Sequence, residues 1–133
     1  MLVNAGGVAA IVDFIGENKG NIRLPGVMML GYVGAHTENL AMAVIVSKGV
    51  VQLALTLAEE KEDHLKAAAA WALGQIGRHT PEHAKAVSLA NVLPKLLEWY
   101  LKPESSEDLQ QKVFFLNILF HFKFFLFFFL NNF

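Results

Sequence analysis

Apolar residues recur at helical spacing along most of the chain, in short segments separated by turns. Between Val8 and Ile15 they fall three and four positions apart, which predicts an amphipathic helix. The next segment, 16–21, is rich in Gly and Asn and predicts a turn. The same pattern continues downstream, and it predicts helices over Leu24–Ala35, Val50–Leu57, His64–Gly77 and Val92–Leu101, with two shorter helices that reach Val46 and Leu89.

The helix ends carry their own signals. Thr37 and Thr80 each precede a short predicted helix and are expected to be N-caps. Pro81 then falls at the first helical position, and Pro25 falls in the first turn of its helix, where proline is tolerated. Gly49 is expected to end the helix that reaches Val46.

The pattern repeats with a fixed period. Leu30–Thr37 reads LGYVGAHT and returns 43 residues later as LGQIGRHT in Leu73–Thr80. A period of this length indicates stacked helical repeats, and three helices per cycle favour the armadillo plan over the two-helix HEAT plan. We therefore predict an all-α armadillo-repeat solenoid with about two complete repeats, 7–48 and 49–90, and a broken third, 91–112.

Four residues are expected to pack the core between repeats. An alanine run precedes Trp71 and Leu73, so small side chains would let neighbouring helices approach while these two fill the space. Leu30, the counterpart of Leu73 one repeat earlier, and the neighbouring Met29 are expected to be buried as well.

The segment 113–133 differs from the rest. It holds ten of the eleven Phe residues, and no acidic residue follows Asp108. Three interpretations are open: a core helix, a membrane span of roughly 27 Å over 113–130, or a non-native extension. We favour the third, because the residues that dominate the segment can all be encoded by codons made only of A and T. A membrane role is expected only if this segment is genuine protein.

Composition limits the chemistry. The net charge of −1 gives no basic field, so nucleic acid is not an expected partner. The absence of cysteine excludes disulfides and thiol catalysis, and the first twenty residues lack the pattern of a secretory signal.

Residues 2–112 resemble the armadillo-repeat proteins of the central apparatus in motile cilia and flagella. The family carries further repeats on both sides, and it continues after Lys112 with a polar-faced helix. The resemblance implies a scaffold role in the axoneme, with axonemal proteins and microtubules as partners, a cytoplasmic and cytoskeletal location, and a part in flagellar motility. It lies in Asn4–Ala10, Arg23–Gly26, Met28–Val33, Glu38–Ile45, Lys66–Ala84 and Glu104–Gln110.

The candidate binding residues are Tyr32 and Gln75. Armadillo proteins that bind nuclear-localisation peptides resemble one another in a Trp-x-x-x-Asn pair, in which Asn holds the peptide backbone. Here Gln75 follows Trp71, and the previous repeat has Met28 and Tyr32, which argues against nuclear import. Tyr32 and Gln75 either line a groove for an extended peptide or are ordinary, partly buried polar residues.

Other candidate sites are weaker. His79 and His83 have metal-ligand spacing, but Pro81 separates them and no third ligand follows, so we expect no metal. The acidic residues at 59–63 are either a docking strip for a basic partner or a solvated turn. No constellation of residues supports catalysis, a cofactor or a small-molecule substrate.

The repeat pattern therefore predicts a non-enzymatic protein-interaction scaffold, and the resemblance implies that this scaffold belongs to the axoneme. Two alternatives remain open. One is a general armadillo adaptor that binds peptides, and the other is a variant anchored to a membrane through the apolar segment 113–133.

Overall fold

The computed structural model describes residues 5–90 and 98–116. These residues form helices and turns, and no strand occurs among them. The helices are α1 Ala5–Glu17, the 3₁₀ helix Gly20–Arg23, α2 Leu24–His36, α3 Glu38–Val46, α4 Gly49–Glu59, α5 Asp63–Gly77 and α6 Pro81–Ser88. Helical residues continue at 98–101 and at 107–116, and we call the second of these two segments α7.

Helices that are one period apart in sequence lie against each other. Helix α2 packs on α5, α1 packs on α4, and α3 packs on α6. This is the arrangement of a solenoid, in which each repeat buries its apolar face against its neighbours. The core that results is continuous from Val8 in α1 to Leu116 in α7.

The predicted N-caps are confirmed. The side chain of Thr37 accepts a hydrogen bond from the backbone N–H of Leu40, and that of Thr80 accepts one from His83. Pro25 and Pro81 lie in the first turns of their helices, as expected.

The expectation that Gly49 ends α3 is wrong. Gly49 is the first residue of α4, and the chain bends just before it, at Lys48, which adopts a left-handed conformation with φ of 66°. Gly49 is needed for close packing instead, since a β-carbon there would lie 2.5 Å from the Val44 side chain.

Hydrogen bonds between repeats keep the same register along the solenoid. Six of them join residues 42 to 45 positions apart and so span one repeat. They link Asn21 with His64, Gly34 with His79, Ala35 with Arg78, Glu38 with His83, Leu57 with Trp99, and Asp63 with Ser106.

A buried cation lies at equivalent positions of two successive repeats. Arg23 is 2% exposed, and its guanidinium lies 3.4 Å from the Glu60 carboxylate and 3.3 Å from the Thr56 hydroxyl. Lys66, 43 residues later, lies 3.3 Å from Asp63 and 3.7 Å from the centre of the Trp99 ring. Each charge is paired because an unpaired buried cation would be strongly destabilising.

The proposed boundary at Lys112 falls inside α7. Val113 and Leu116 are buried against the solenoid, whereas Phe114 and Phe115 are about half exposed. Residues 117–133 lie outside the described part, so the non-native interpretation and the membrane span over 113–130 remain predictions.

Within the described residues no single helix is long and apolar enough to cross a membrane. Helices α3 and α4 together meet that criterion of length and composition, but they are bent by 72° at their junction.

Candidate functional site

Three equivalent helices, α2, α5 and α7, line a groove on one face of the solenoid. The groove contains a cavity of about 360 Å³. Its walls come from all three helices, so only the stacking of successive repeats creates it. The lining residues are Leu24, Met28, Tyr32, His64, Ala67, Ala68, Trp71, Asp108 and Lys112.

An aromatic pair forms the centre of this groove. The rings of Tyr32 and Trp71 meet edge to face, with centroids 5.0 Å apart. Tyr32 is 62% exposed, and Trp71 is half-buried. Gly31 makes the pair possible, because a β-carbon at that position would lie 2.1 Å from the Trp71 ring.

The second candidate residue, Gln75, lies one turn beyond Trp71 on α5 and does not line the cavity. Its side-chain oxygen accepts a hydrogen bond from Arg78 Nε at 3.2 Å. Arg78 also donates to the Ala35 carbonyl at 2.7 Å. Gln75 is half-buried and helps to join two repeats at the edge of the groove.

The polar residues of the groove wall are already paired. His64 Nε2 lies 2.7 Å from Asn21 Oδ1, an acceptor, so this nitrogen donates. Lys112 Nζ lies 2.8 Å from the Asp108 carboxylate. The sequence reasoning missed these wall residues, although the 43-residue offset from Asn21 to His64 was a usable signal.

The four residues expected in the core between repeats differ in how deeply they are buried. Leu30 and Leu73 are fully buried, and Trp71 is half-buried between the core and the groove. The expectation for Met29 is wrong, since it is 50% exposed. Met29 lies on the α1 side of α2, over a shallow cavity that it shares with Ile11 and Phe14, and not between α2 and α5.

His79 and His83 join repeats in the structure. Each ring donates from Nε2 to a backbone carbonyl of the previous repeat, His79 to Gly34 at 2.6 Å and His83 to Glu38 at 3.1 Å. In residues 5–90 and 98–116 no three His, Cys, Asp or Glu side chains are placed to hold a metal ion.

The acidic turn is largely neutralised by its own neighbours. Glu60 pairs with buried Arg23, and the more exposed Glu59 lies 3.6 Å from Lys19. Partial burial alone would raise the pKa of Asp63, but the hydrogen bond from the Ser106 N–H and the ammonium of Lys66 outweigh this effect and lower it. The carboxylates of this turn therefore stabilise contacts between repeats. This arrangement favours a structural role for the turn over a docking strip.

The chain is similar in sequence to two curated relatives. Over 61 residues, 46% of this chain, it is 73% identical to sperm-associated antigen 6 of mouse. The human protein of the same name is 72% identical over the same length. The matched stretch spans 12% of each relative. No protein-family profile matches the chain.

Two solved structures share the fold. An engineered protein superposes on 86% of this chain with a TM-score of 0.77 at 18% identity, over 45% of its own length. A designed armadillo repeat protein gives the same TM-score and coverage at 16% identity, over 47% of its length. At sequence identities this low, the structural likeness shows the fold alone. It confirms the armadillo fold that the period predicted. The chain is thus an all-α armadillo-repeat solenoid that is similar, over 61 residues, to sperm-associated antigen 6.

Proposed function

We propose that the chain is part of a non-enzymatic protein-interaction scaffold, which holds a segment of a partner protein in the groove between α2, α5 and α7. The observation that carries the proposal is the exposed Tyr32 beside the half-buried Trp71 in a cavity that three repeats share. Partly exposed aromatic residues in a concave site are typical anchors of protein interfaces.

The chemistry of the described residues supports binding more than catalysis. The charged groups in the groove wall pair with each other, and the carboxylates of the acidic turn pair with cations of the solenoid. A general acid or base needs a titratable group that is free to reach a substrate. We propose no catalytic residue, cofactor or nucleic-acid partner.

We further propose that this scaffold acts in the axoneme, in the central apparatus of motile cilia and flagella, and serves flagellar motility. The support is the identity of 73% with sperm-associated antigen 6, together with the resemblance of residues 2–112 described above. The partners are then axonemal proteins and microtubules, and the location is the cytoskeleton.

Sedimentation with axonemes tests the proposal. The chain, added to demembranated axonemes, should co-sediment and resist non-ionic detergent, because protein contacts and not lipid hold it. Replacing Tyr32 and Gln75 together by Glu places two charges along the groove, and we expect retention to fall by about tenfold or more.

A matched control is Val46→Glu, which changes an exposed apolar residue on α3, away from the groove. Its retention should equal that of the unchanged chain, and circular dichroism should show equal helix content in all three proteins. Equal retention of the groove variant would contradict the proposed site. Binding that non-ionic detergent abolishes would favour the membrane-anchored alternative.

A further inference from the structure

Helix α7 borders two different cavities. Its residues Asp108 and Lys112 line the cavity of the groove, whereas other residues of the same helix line a second cavity of about 260 Å³. We call this second cavity the α7 pocket, and its lining residues are Tyr100, Glu107, Gln110, Gln111 and Phe114. The two cavities share no lining residue, so the α7 pocket is a separate candidate site.

The α7 pocket repeats a position of the groove with different chemistry. Its four residues on α7 lie 43 positions after four residues that line the groove on α5, namely His64, Ala67, Ala68 and Trp71. The two alanines are replaced by glutamines, and the histidine is replaced by a glutamate. A wall that was largely apolar has therefore gained side-chain oxygens that accept hydrogen bonds.

Two of these oxygen-bearing groups are available to a ligand. Glu107 is exposed, and none of the ion pairs between described residues includes its carboxylate. The Gln110 amide nitrogen donates to the Tyr100 carbonyl at 3.3 Å. This bond fixes the Gln110 side chain and leaves its oxygen as an acceptor. The pocket therefore combines one full negative charge with a held amide oxygen.

An aromatic pair supplies the rest of the wall. The rings of Tyr100 and Phe114 stack with centroids 5.8 Å apart and an angle of 26° between their planes. The Phe114 side chain is still 49% exposed. The face of an aromatic ring carries partial negative charge and attracts cations. The aromatic wall and the carboxylate therefore favour the same kind of ligand, a positively charged group.

The segment 98–116 provides no cation of its own for the pocket. It contains two lysines, and neither of them lines the pocket. Lys112 Nζ lies 2.8 Å from the Asp108 carboxylate, and Lys102 Nζ lies 5.0 Å from the centre of the Trp99 ring. The same segment holds four of the 12 acidic residues and two of the 11 Lys and Arg residues, so its charge is negative while the rest of the chain is nearly balanced.

We propose that the α7 pocket binds an arginine side chain of a partner protein. A guanidinium group is planar, so it stacks on the exposed part of Phe114 while its N–H groups donate to the Glu107 carboxylate and the Gln110 oxygen. A lysine ammonium would satisfy the carboxylate but would not stack in this way. This site goes beyond the proposed groove function, because it uses a separate cavity and a charged anchor.

Nuclear magnetic resonance titration of the full chain tests the proposal. The probes are three peptides that differ only in the central side chain: acetyl-Gly-Arg-Gly-amide, its lysine analogue, and its citrulline analogue, which has the shape of arginine without the charge. Sodium chloride keeps the ionic strength constant, so that screening is equal in all titrations. The side-chain amide signals of Gln110 and Gln111 report binding at the pocket. We expect the arginine peptide to bind about fivefold more tightly than the citrulline peptide.

Substitutions of the chain separate the two parts of the site. Glu107→Gln should reduce the affinity for the arginine peptide to that for the citrulline peptide, and Phe114→Leu should weaken it about threefold. Glu104→Gln is the matched control, because it removes a charge from the same exposed turn but does not line the pocket. Its affinity should equal that of the unchanged chain, and equal urea midpoints would show that all the variants are folded.

Four results would overturn the proposal. They are equal affinities for the arginine and citrulline peptides, equal affinities for the arginine and lysine peptides, an unchanged affinity of the Glu107→Gln chain, and shifts at the Trp71 indole in place of the glutamine amides. The absence of any shift up to about 50 mM arginine peptide would also overturn it, because even a millimolar site would be largely filled.

Discussion

At the residue scale, the groove depends on the absence of a side chain at Gly31. The Trp71 ring occupies the space where a β-carbon would lie, and a rigid ring cannot move aside as a flexible side chain can. The position of Trp71, and with it the Tyr32 contact, follows from this single glycine.

Gly31→Ala should therefore destabilise the fold by about 1–3 kcal/mol through overpacking. Gly74→Ala is the matched control, since its nearest neighbour, Leu116 Cδ1, is 3.6 Å away and alanine favours the helix by up to about 1 kcal/mol. Urea unfolding should show opposite signs for the two variants.

A double-mutant cycle extends this prediction. If the ring is the obstacle, Gly31→Ala should lose its penalty in a Trp71→Ala background and should there stabilise the helix by up to about 1 kcal/mol, as expected of Gly74→Ala. An undiminished loss there would locate the obstacle elsewhere.

At the element scale, the junction of α3 and α4 stores backbone strain at Lys48. A left-handed φ of 66° is unfavourable for a residue with a β-carbon. Lys48→Gly should therefore raise the free energy of unfolding by up to about 1 kcal/mol. Ser47→Gly, at an ordinary φ of −80°, should lower it. A Lys48→Gly protein less stable than the parent would contradict this account.

The start of α5 is held by a carboxylate whose pKa is lowered in the folded state. Because the unfolded value is higher, Asp63 stabilises the fold above that value, and the contribution is lost as pH falls through the folded pKa, below about pH 4. Asp63→Asn should lower stability at pH 7 and reduce its further loss between pH 5 and pH 3. Urea midpoints across this range measure both effects, and parallel curves for the two proteins would contradict the assignment.

At the scale of the whole molecule, the fold was predictable because its signals are local and repeated. The period fixed which helices are equivalent, and Thr37 and Thr80 cap the helices that follow them. The exposure of Met29 and the buried pairing of Arg23 with Glu60 were not predictable in this way, because both depend on which repeat lies alongside. Of the candidate site, Tyr32 lies in the groove and Gln75 at its edge, while the wall residues Asp108 and Lys112 required the three-dimensional stacking.

The end of the described solenoid gives a further prediction at this scale. Truncation after Lys112 removes Val113 and Leu116 from the core, whereas truncation after Leu116 keeps them. The shorter chain should be less stable by about 2–5 kcal/mol. Equal urea midpoints would mean that these two residues do not stabilise the solenoid.

Hydroxyl-radical footprinting of the axoneme-bound chain tests the central claim, that the groove is the binding surface. Oxidation of Met28, Tyr32 and Trp71 should fall on binding, because these side chains line the groove. Oxidation of Met42, which is exposed on α3, should stay unchanged. Protection of Met42 with unchanged oxidation of Tyr32 and Trp71 would contradict the account.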